Sequence, residues 1–403
     1  MKWMVPFNQL DAVQSAAVED IDSSISSGFA AGSRRLGRQP QIHWVKGFAG
    51  SGKTIVLTHV AERLAAKQQR RRVGFATYTH ALKDLVQSGL SEQAVSRIKI
   101  TTLDALKNSK EPFDVLIADE VQDVTKRYFS EFQKSYLSLV AAADFDQRIF
   151  RQAASETEVR NILSKATHYQ LHSIFRISEN IFQVATSVHS DAAVSDDATI
   201  DERDGQTQLI VARSRNEEWD TVYDEAIRVS APQFPSAILF PGKAQMEDFF
   251  KRAAERHGWS PPPLRKNWTI PADPISGTPK ETYGSINKYL KRNASAFQVF
   301  GSGSGELSSS ATKKTVFLMT YHSAKGLEFD SVFLPCLSDV TSLQAMKGAS
   351  DLEERRLFFV AATRARRQLY LSYHSRSHRF IGEIPPNLLR AFQQPRRGFG
   401  RTS

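Results

Sequence analysis

From residue 41 to residue 143, short apolar runs alternate with stretches whose apolar positions recur every three to four residues. Gln41–Val45, Val73–Ala76, Ile98–Ile100, Val115–Ala118 and Leu137–Ala143 read as strands. Helical spacing covers Asn8 to Ala30, Ile55 to Leu64, Thr79 to Ser88 and Val124 to Tyr136. Such alternation predicts a parallel sheet with helices on both faces. A second series begins near Thr167, with strands expected at His168–Leu171, Gln208–Val211, Ser236–Phe240, Val316–Met319, Ser331–Leu334 and Gln368–Ser372. The expected fold class is therefore α/β, with two sheet-and-helix lobes.

Within the second series lies a segment of different composition, Gly258 to Lys314, which holds 6 of the 16 prolines. It ends in Gly301-Ser-Gly-Ser-Gly305 and Ser308-Ser-Ser310, a linker-like composition. Its middle predicts a basic helix carrying Tyr283, Lys288, Tyr289, Lys291 and Arg292. The expected organisation is a first lobe over 1–154 and a second over 155–257 and 315–392. An insertion over 258–314 and a basic, flexible tail over 393–403 complete it.

Composition narrows the class. The 403 residues are 41% hydrophobic, a globular balance, and the net charge of +10 favours a polyanionic partner such as nucleic acid. Basic residues cluster at Arg34, Arg35 and Arg38, at Arg70 to Arg72, at Arg364 to Arg367, and at Arg396, Arg397 and Arg401. Cys336 is the only cysteine, so an internal disulfide and a multi-cysteine zinc site are excluded, which suits a reducing cytosol. No apolar run reaches the about 18 residues of a membrane span, and Met1-Lys-Trp-Met-Val-Pro6 lacks a secretory signal's apolar stretch. A cytoplasmic protein without a membrane partner is expected.

Gly47-Phe-Ala-Gly-Ser-Gly-Lys-Thr54 fits G-x-x-x-x-G-K-S/T, between a predicted strand and a predicted helix. Gly47, Gly50 and Gly52 let the backbone wrap with its N–H groups aimed at phosphate oxygens. Lys53 would reach the outer phosphates of ATP and Thr54 would hold Mg²⁺. Downstream, Asp114-Val-Leu-Ile-Ala-Asp119-Glu-Val-Gln-Asp123 is a strand ending in acids. Asp119 would help hold Mg²⁺, and Glu120 would orient and deprotonate the attacking water.

With these residues the chain resembles superfamily 1 helicase motors of the UvrD/Rep/PcrA type. Asp119-Glu-Val-Gln-Asp123 resembles that family's D-E-x-Q-D motif, and further motifs follow in family order. Gln9-Leu-Asp-Ala-Val13 resembles the N-terminal glutamine motif, which implies that Gln9 reads the adenine edge. Ala76-Thr-Tyr-Thr-His80 resembles motif Ia, with Tyr78 a platform for a base. Thr101-Thr-Leu-Asp104 resembles motif Ib, which brings Thr102 toward the nucleic acid. Asp144-Phe-Asp-Gln-Arg-Ile-Phe150 resembles motif III, with Gln147 sensing the γ-phosphate and Phe150 near a base. Ile174-Phe-Arg176 resembles motif IV, with Phe175 stacking on adenine and Arg176 touching the γ-phosphate. Thr320-Tyr-His-Ser-Ala-Lys-Gly-Leu-Glu-Phe329 closely matches motif V. It implies that Glu328 holds the ribose and that Thr320 and His322 face the nucleic-acid backbone. Glu353-Glu-Arg-Arg-Leu357 and Val360-Ala-Ala-Thr-Arg-Ala365 resemble motif VI, with Arg364 the second arginine finger.

Three departures stand out. Only nine residues separate Asp104 from Asp114, where full-size relatives carry an accessory subdomain. The corresponding place in the second lobe holds only 258–314. Asp104 stands where motif Ib carries histidine, and Ala143 where motif III carries glycine. The resemblance implies two RecA-like lobes with ATP between them, hydrolysing Mg-ATP and moving 3′ to 5′ on single-stranded DNA, RNA being left open. The alternative is an ATP-gated regulatory subunit that controls a partner such as a nuclease, in DNA repair or anti-phage defence. A catalytically silent scaffold is disfavoured by Lys53, Asp119, Glu120 and Arg364.

Overall fold

A computed structural model describes residues 4–30, 40–67, 71–108, 112–175, 177–192, 204–263, 269–270, 280–281, 283–301, 304–339, 343 and 350–394. The first sheet contains β1 (Gln41–Gly47), β2 (Val73–Thr77), β3 (Ile98–Thr102), β4 (Phe113–Ala118), β5 (Tyr136–Ala142) and β6 (Thr167–Leu171). All its pairings are parallel, in the order β3-β2-β4-β5-β1-β6. The second contains β7 (Gln206–Ala212), β8 (Ser236–Phe240), β11 (Phe297–Val299), β12 (Val316–Thr320), β13 (Phe329–Leu334), β14 (Ala365–His374) and β15 (Leu389–Ala391). It too is wholly parallel, in the order β11-β12-β8-β13-β14-β7-β15. A ribbon of β9 (Thr269–Ile270) and β10 (Lys280–Glu281) stands apart.

Helices cover both faces of each sheet. Val18, Ile21, Val56 and Val60 pack on one face of the first sheet, and Phe132, Val159 and Leu163 on the other. Ile181, Phe182 and Phe358 cover one face of the second sheet, and Trp219, Phe249 and Tyr289 the other. Central strands therefore have no polar face, which is why Val115–Ala118 reads as an unbroken apolar run. The carboxyl ends of the first sheet's strands, where an α/β sheet takes its ligands, carry the glycine-rich loop and the acidic turn.

Three expectations need correction. The strand at His168–Leu171 belongs to the first sheet, where Gly47 pairs with Leu171. The first lobe therefore runs past residue 154, because the helix Glu156–Leu163 crosses over to place β6 beside β1. The stretch Val124–Tyr136 is not one helix. A bridge between Thr125 and Ala153, with Ala154 N–H donating to Val124 O at 2.7 Å, keeps its start extended; only Phe129–Gln133 is α-helical. The segment 258–314 is not wholly an appended tether. The helix Gly284–Arg292 buries Ile286, Tyr289 and Leu290 in the core, and β11 forms the edge of the second sheet.

Candidate nucleotide site and interlobe cleft

β1 runs into the glycine-rich loop and the helix Lys53–Ala66 leaves it, so that helix's free N–H groups face the loop's hollow. Gly50 and Gly52 have φ of +79° and +86°, a conformation that disfavours any side chain. At Gly52 a Cβ would also come within 2.6 Å of Gln14 Nε2. The Lys53 ammonium is buried, donating to Gly47 O at 2.8 Å and Phe48 O at 2.9 Å and pairing with Asp144 Oδ2 at 3.3 Å. Thr54 Oγ1 donates to Asp119 Oδ2 at 2.6 Å. Burial foremost, then the neighbouring Glu120, lifts the Asp119 carboxyl to about 6.

A hydroxyl and a carboxylate oxygen side by side suit Mg²⁺, a hard cation that usually takes few protein ligands and keeps waters and phosphates as the rest. Among the described residues there is no cluster of three or more His, Cys, Asp or Glu that could hold a metal ion.

Glu120 sits at the end of β4 with φ of 58°, left-handed for a non-glycine residue, and its carboxylate is nearly buried. Gln122 Nε2 donates to it, and Lys325 Nζ approaches it at 3.2 Å. The same Lys325 pairs with Asp123 and donates to Gln147 O at 2.5 Å. Lys325 comes from the second lobe and is 1% exposed. Burial works against its charge, but Asp123 and Glu120 outweigh it and hold the ammonium above its ordinary pKa.

Arg364, 4% exposed, reaches across the same boundary. Its Nη2 donates to Gln147 Oε1 at 3.2 Å, while Nε and Nη1 are fixed by Val360 O and Leu327 O at 2.8 and 3.2 Å. Gln147 in turn donates to Asp144 Oδ2 at 2.6 Å. One chain of contacts thus runs Lys53–Asp144–Gln147–Arg364, from the glycine-rich loop to the second lobe. A cleft of about 230 Å³ beside it is lined by Gly47, Phe48, Asp144, Asp146 and, from the second lobe, Arg356. Farther out, Arg151 and Glu353 form an exposed ion pair between lobes at 2.6 Å.

Phe175 N–H donates to Gly50 O at 3.2 Å, which sets this residue against the loop. Arg176 lies outside the described residues. Glu328, half-buried, borders a second interlobe cleft with Asp84 and Leu85. Gln9 is exposed; the glutamine at the loop is Gln14, whose Nε2 donates to Ser51 O at 3.0 Å. Gln14 was legible in a different way. Asp11 Oδ1 accepts from Gln14 N–H at 2.6 Å and Gln14 Oε1 from Asp11 N–H at 3.3 Å, a reciprocal cap of the D-x-x-Q form that sets the helix start at Ala12.

Tyr78, Phe150 and His322 meet at the mouth of the cleft. The Tyr78 and Phe150 rings lie 4.2 Å apart, and His322 stands 5.5 Å from Phe150 across the boundary. Tyr78 is largely buried, its hydroxyl accepting from Gln152 at 3.3 Å, and burial raises its pKa. Burial foremost, then Lys325, lowers His322 to about 4, so it is neutral at pH 7. Thr320 Oγ1 is engaged by Ser323 at 3.0 Å, and Thr102 ends β3 beside Thr77, the residue before Tyr78. Asp104 is exposed and accepts from Thr125 Oγ1 at 2.6 Å.

Residues 291–376 match the UvrD-like helicase C-terminal domain, and residues 40–222 match the Schlafen group 3 DNA/RNA helicase domain. The chain is 32% identical over 160 residues to the ATP-dependent DNA helicase PcrA of Staphylococcus epidermidis, covering 33% of this chain and 21% of that protein. It is 33% identical over 138 residues to PcrA of Staphylococcus aureus, covering 30% of this chain and 18% of the relative. The matches thus span about a fifth of the length of these curated relatives. Among solved structures, the PRRSV helicase aligns at 13% identity and a TM-score of 0.42, covering 87% of this chain and 54% of that one.

Proposed function

We propose, from the premise that this chain is a superfamily 1 helicase of the UvrD/PcrA type, that it is an ATP-driven motor on single-stranded nucleic acid. The observation that carries this is the buried path from Lys53 through Asp144 and Gln147 to Arg364. It joins the loop that takes phosphate to a cation on the other lobe. Lys53 would bind the β- and γ-phosphates of ATP, releasing its present carbonyl partners. Thr54 and Asp119 would hold Mg²⁺, whose charge screens the phosphates and favours their transfer to water. Glu120 would accept the proton of the attacking water, and Gln147 would orient near the γ-phosphate. Arg364 and Arg176 would stabilise the charge that develops there. Arg364 belongs to a different lobe from Lys53, so hydrolysis would require a closed cleft, and opening after product release would supply the stroke.

The strand would pass over Tyr78, Phe150 and His322, which lie on both lobes and would move when the cleft changes. A neutral His322 can offer a hydrogen bond to a phosphate or base without a fixed charge. Phosphates would be held by cations and backbone, and bases by stacking, which tolerates any sequence. The relatives' names favour DNA as the strand, and movement 3′ to 5′ is what the resemblance to UvrD/Rep/PcrA motors implies. The short connection between Asp104 and Asp114 leaves little surface for duplex, so translocation with weak unwinding is expected. That shortness is also what favours the second reading, an ATP-gated regulatory subunit.

Steady-state ATPase rates with no nucleic acid, single-stranded DNA, single-stranded RNA and duplex DNA test the proposal. Strong stimulation by a single strand supports the motor. High unstimulated turnover, or stimulation by a protein partner alone, supports the regulatory subunit and overturns it.

A further inference from the structure

We propose that the amino-terminal rim of the second sheet is a second nucleic-acid surface, which takes the backbone phosphates of a single strand and stacks one base on Phe234. The strands β11, β12, β8, β13 and β14 lie side by side and parallel, so the residues entering them share one edge. Lys291 and Arg292, in the last turn of the helix before β11, stand at one end of this edge. Lys313 and Lys314 enter β12, and Arg366 and Arg367 lie at the start of β14. Lys291, Arg292, Lys313, Lys314 and Arg367 are exposed, Arg366 is half-buried, and none of the six makes an ion pair among the described residues.

Phe234 lies between these cations. It precedes β8, is 49% exposed, and borders a cleft of about 340 Å³ with Gln233, Arg366, Arg367, Asp204 and Asp330. Gln233 N–H donates to Ser310 O at 2.7 Å and Ser236 N–H to Thr315 O at 3.3 Å, which holds this corner against the segment carrying Lys313 and Lys314. Four interstrand steps of about 4.8 Å give the rim a length of about 19 Å. Along one strand of a helix a phosphate recurs every 3.4 Å or so, so the rim spans several phosphates. A duplex would satisfy the cations but not Phe234, because only an unpaired base offers a face to an exposed ring. Asp204 and Gln233 at the cleft's edge can hydrogen-bond that base. The lysine end of the rim is far from the aromatic mouth of the interlobe groove: the six residue steps from Lys314 to Thr320 along β12 span about 20 Å.

Binding of a fluorescent single strand of about 30 nucleotides, longer than the 4–16 that one groove takes, tests this across a salt series. In the variant Lys291→Ala/Arg292→Ala/Lys313→Ala/Lys314→Ala the slope of log K against log salt should fall by about 2.8, at about 0.7 per phosphate contact on a single strand. A blunt duplex meets the same cations and should lose slope as well, whereas Phe234→Ala should leave its affinity unchanged. An unchanged single-strand slope, or a loss confined to duplex, overturns the proposal. Phe234→Ala should weaken the long strand about 5- to 150-fold. Ultraviolet crosslinking of a thymidine strand to the unaltered protein is independent of any variant's folding. Adducts at Phe234, beyond any at Tyr78 or Phe150, are expected. Adducts confined to the interlobe residues would reject the rim while leaving the motor reading intact.

Discussion

Replacing Lys325 by methionine removes one buried cation and leaves two buried acids without it. Asp123 has a side chain 0% exposed and Glu120 one 9% exposed, and both pair with Lys325 Nζ. Methionine keeps most of the stem and the volume, so the change is mainly electrostatic. Breaking a buried pair by removing one partner costs about 3–5 kcal/mol, because the remaining charge is neither hydrated nor compensated. Here the partners lie on opposite lobes, so the cost falls on the closed interface. At about 1.4 kcal/mol per power of ten, closure would become less favourable by roughly two to three and a half powers of ten. Covalent linkage of the lobes and the Arg364 contact limit the loss, and turnover at saturating ATP and single strand should still fall at least about tenfold. The melting temperature should fall as well. Adding Asp123→Asn removes the more deeply buried of the two stranded charges and should recover part of the melting temperature. Wild-type melting with wild-type turnover in the single variant would refute the reasoning. So would a double variant no better than the single one, since the loss would then come from packing.

Glu120→Gln keeps size and hydrogen bonding but cannot take a proton. ATP turnover should drop by about 10² or more while nucleotide affinity, measured with a fluorescent analogue, stays near wild type. His322 is lowered to about 4 by burial and by Lys325, against an ordinary 6.5. Between those values the unfolded chain binds the proton and the folded one does not, so stability declines as pH falls from about 6.5 toward 4, by up to about 3 kcal/mol at 1.36 kcal/mol per unit. Denaturant titrations of wild type and His322→Asn should differ in slope across that window, and parallel curves would exclude the residue. Tyr78→Ala should weaken single-strand binding by about 1–3 kcal/mol if a base stacks there. A lower melting temperature with unaltered binding would instead make Tyr78 a packing residue, as its burial against Phe150 allows.

What could be read from the sequence was set by how local each determinant is. The glycine-rich loop, the acidic turn and motif V are short and self-contained, and the elements that carry them formed where the apolar pattern put them. Partnership between distant elements was not legible. Thr167–Leu171 looks like a strand in any sheet, and only its pairing with β1 assigns it to the first. Phe297–Val299 is three residues long and gains its identity from β12. The Pro/Ser-rich composition around it masked a helix whose apolar positions, Ile286, Tyr289 and Leu290, are core. In the site, the sequence shows Lys325 only as one letter of motif V. Its contacts with Glu120, Asp123 and Gln147 O exist only once the lobes meet. Gln9 and Gln14 are chemically identical, and the helix cap at Asp11 distinguishes them.

The central claim is that a cation on the second lobe completes a phosphate site on the first. Turnover and nucleotide affinity of Arg364→Ala, measured together with saturating single-stranded DNA, test it most directly. A finger of this kind contributes about 10³ to 10⁵ in rate, so turnover should fall by about that factor while nucleotide still binds at the glycine-rich loop. Wild-type turnover in this variant, with its melting temperature unaltered, would contradict the account.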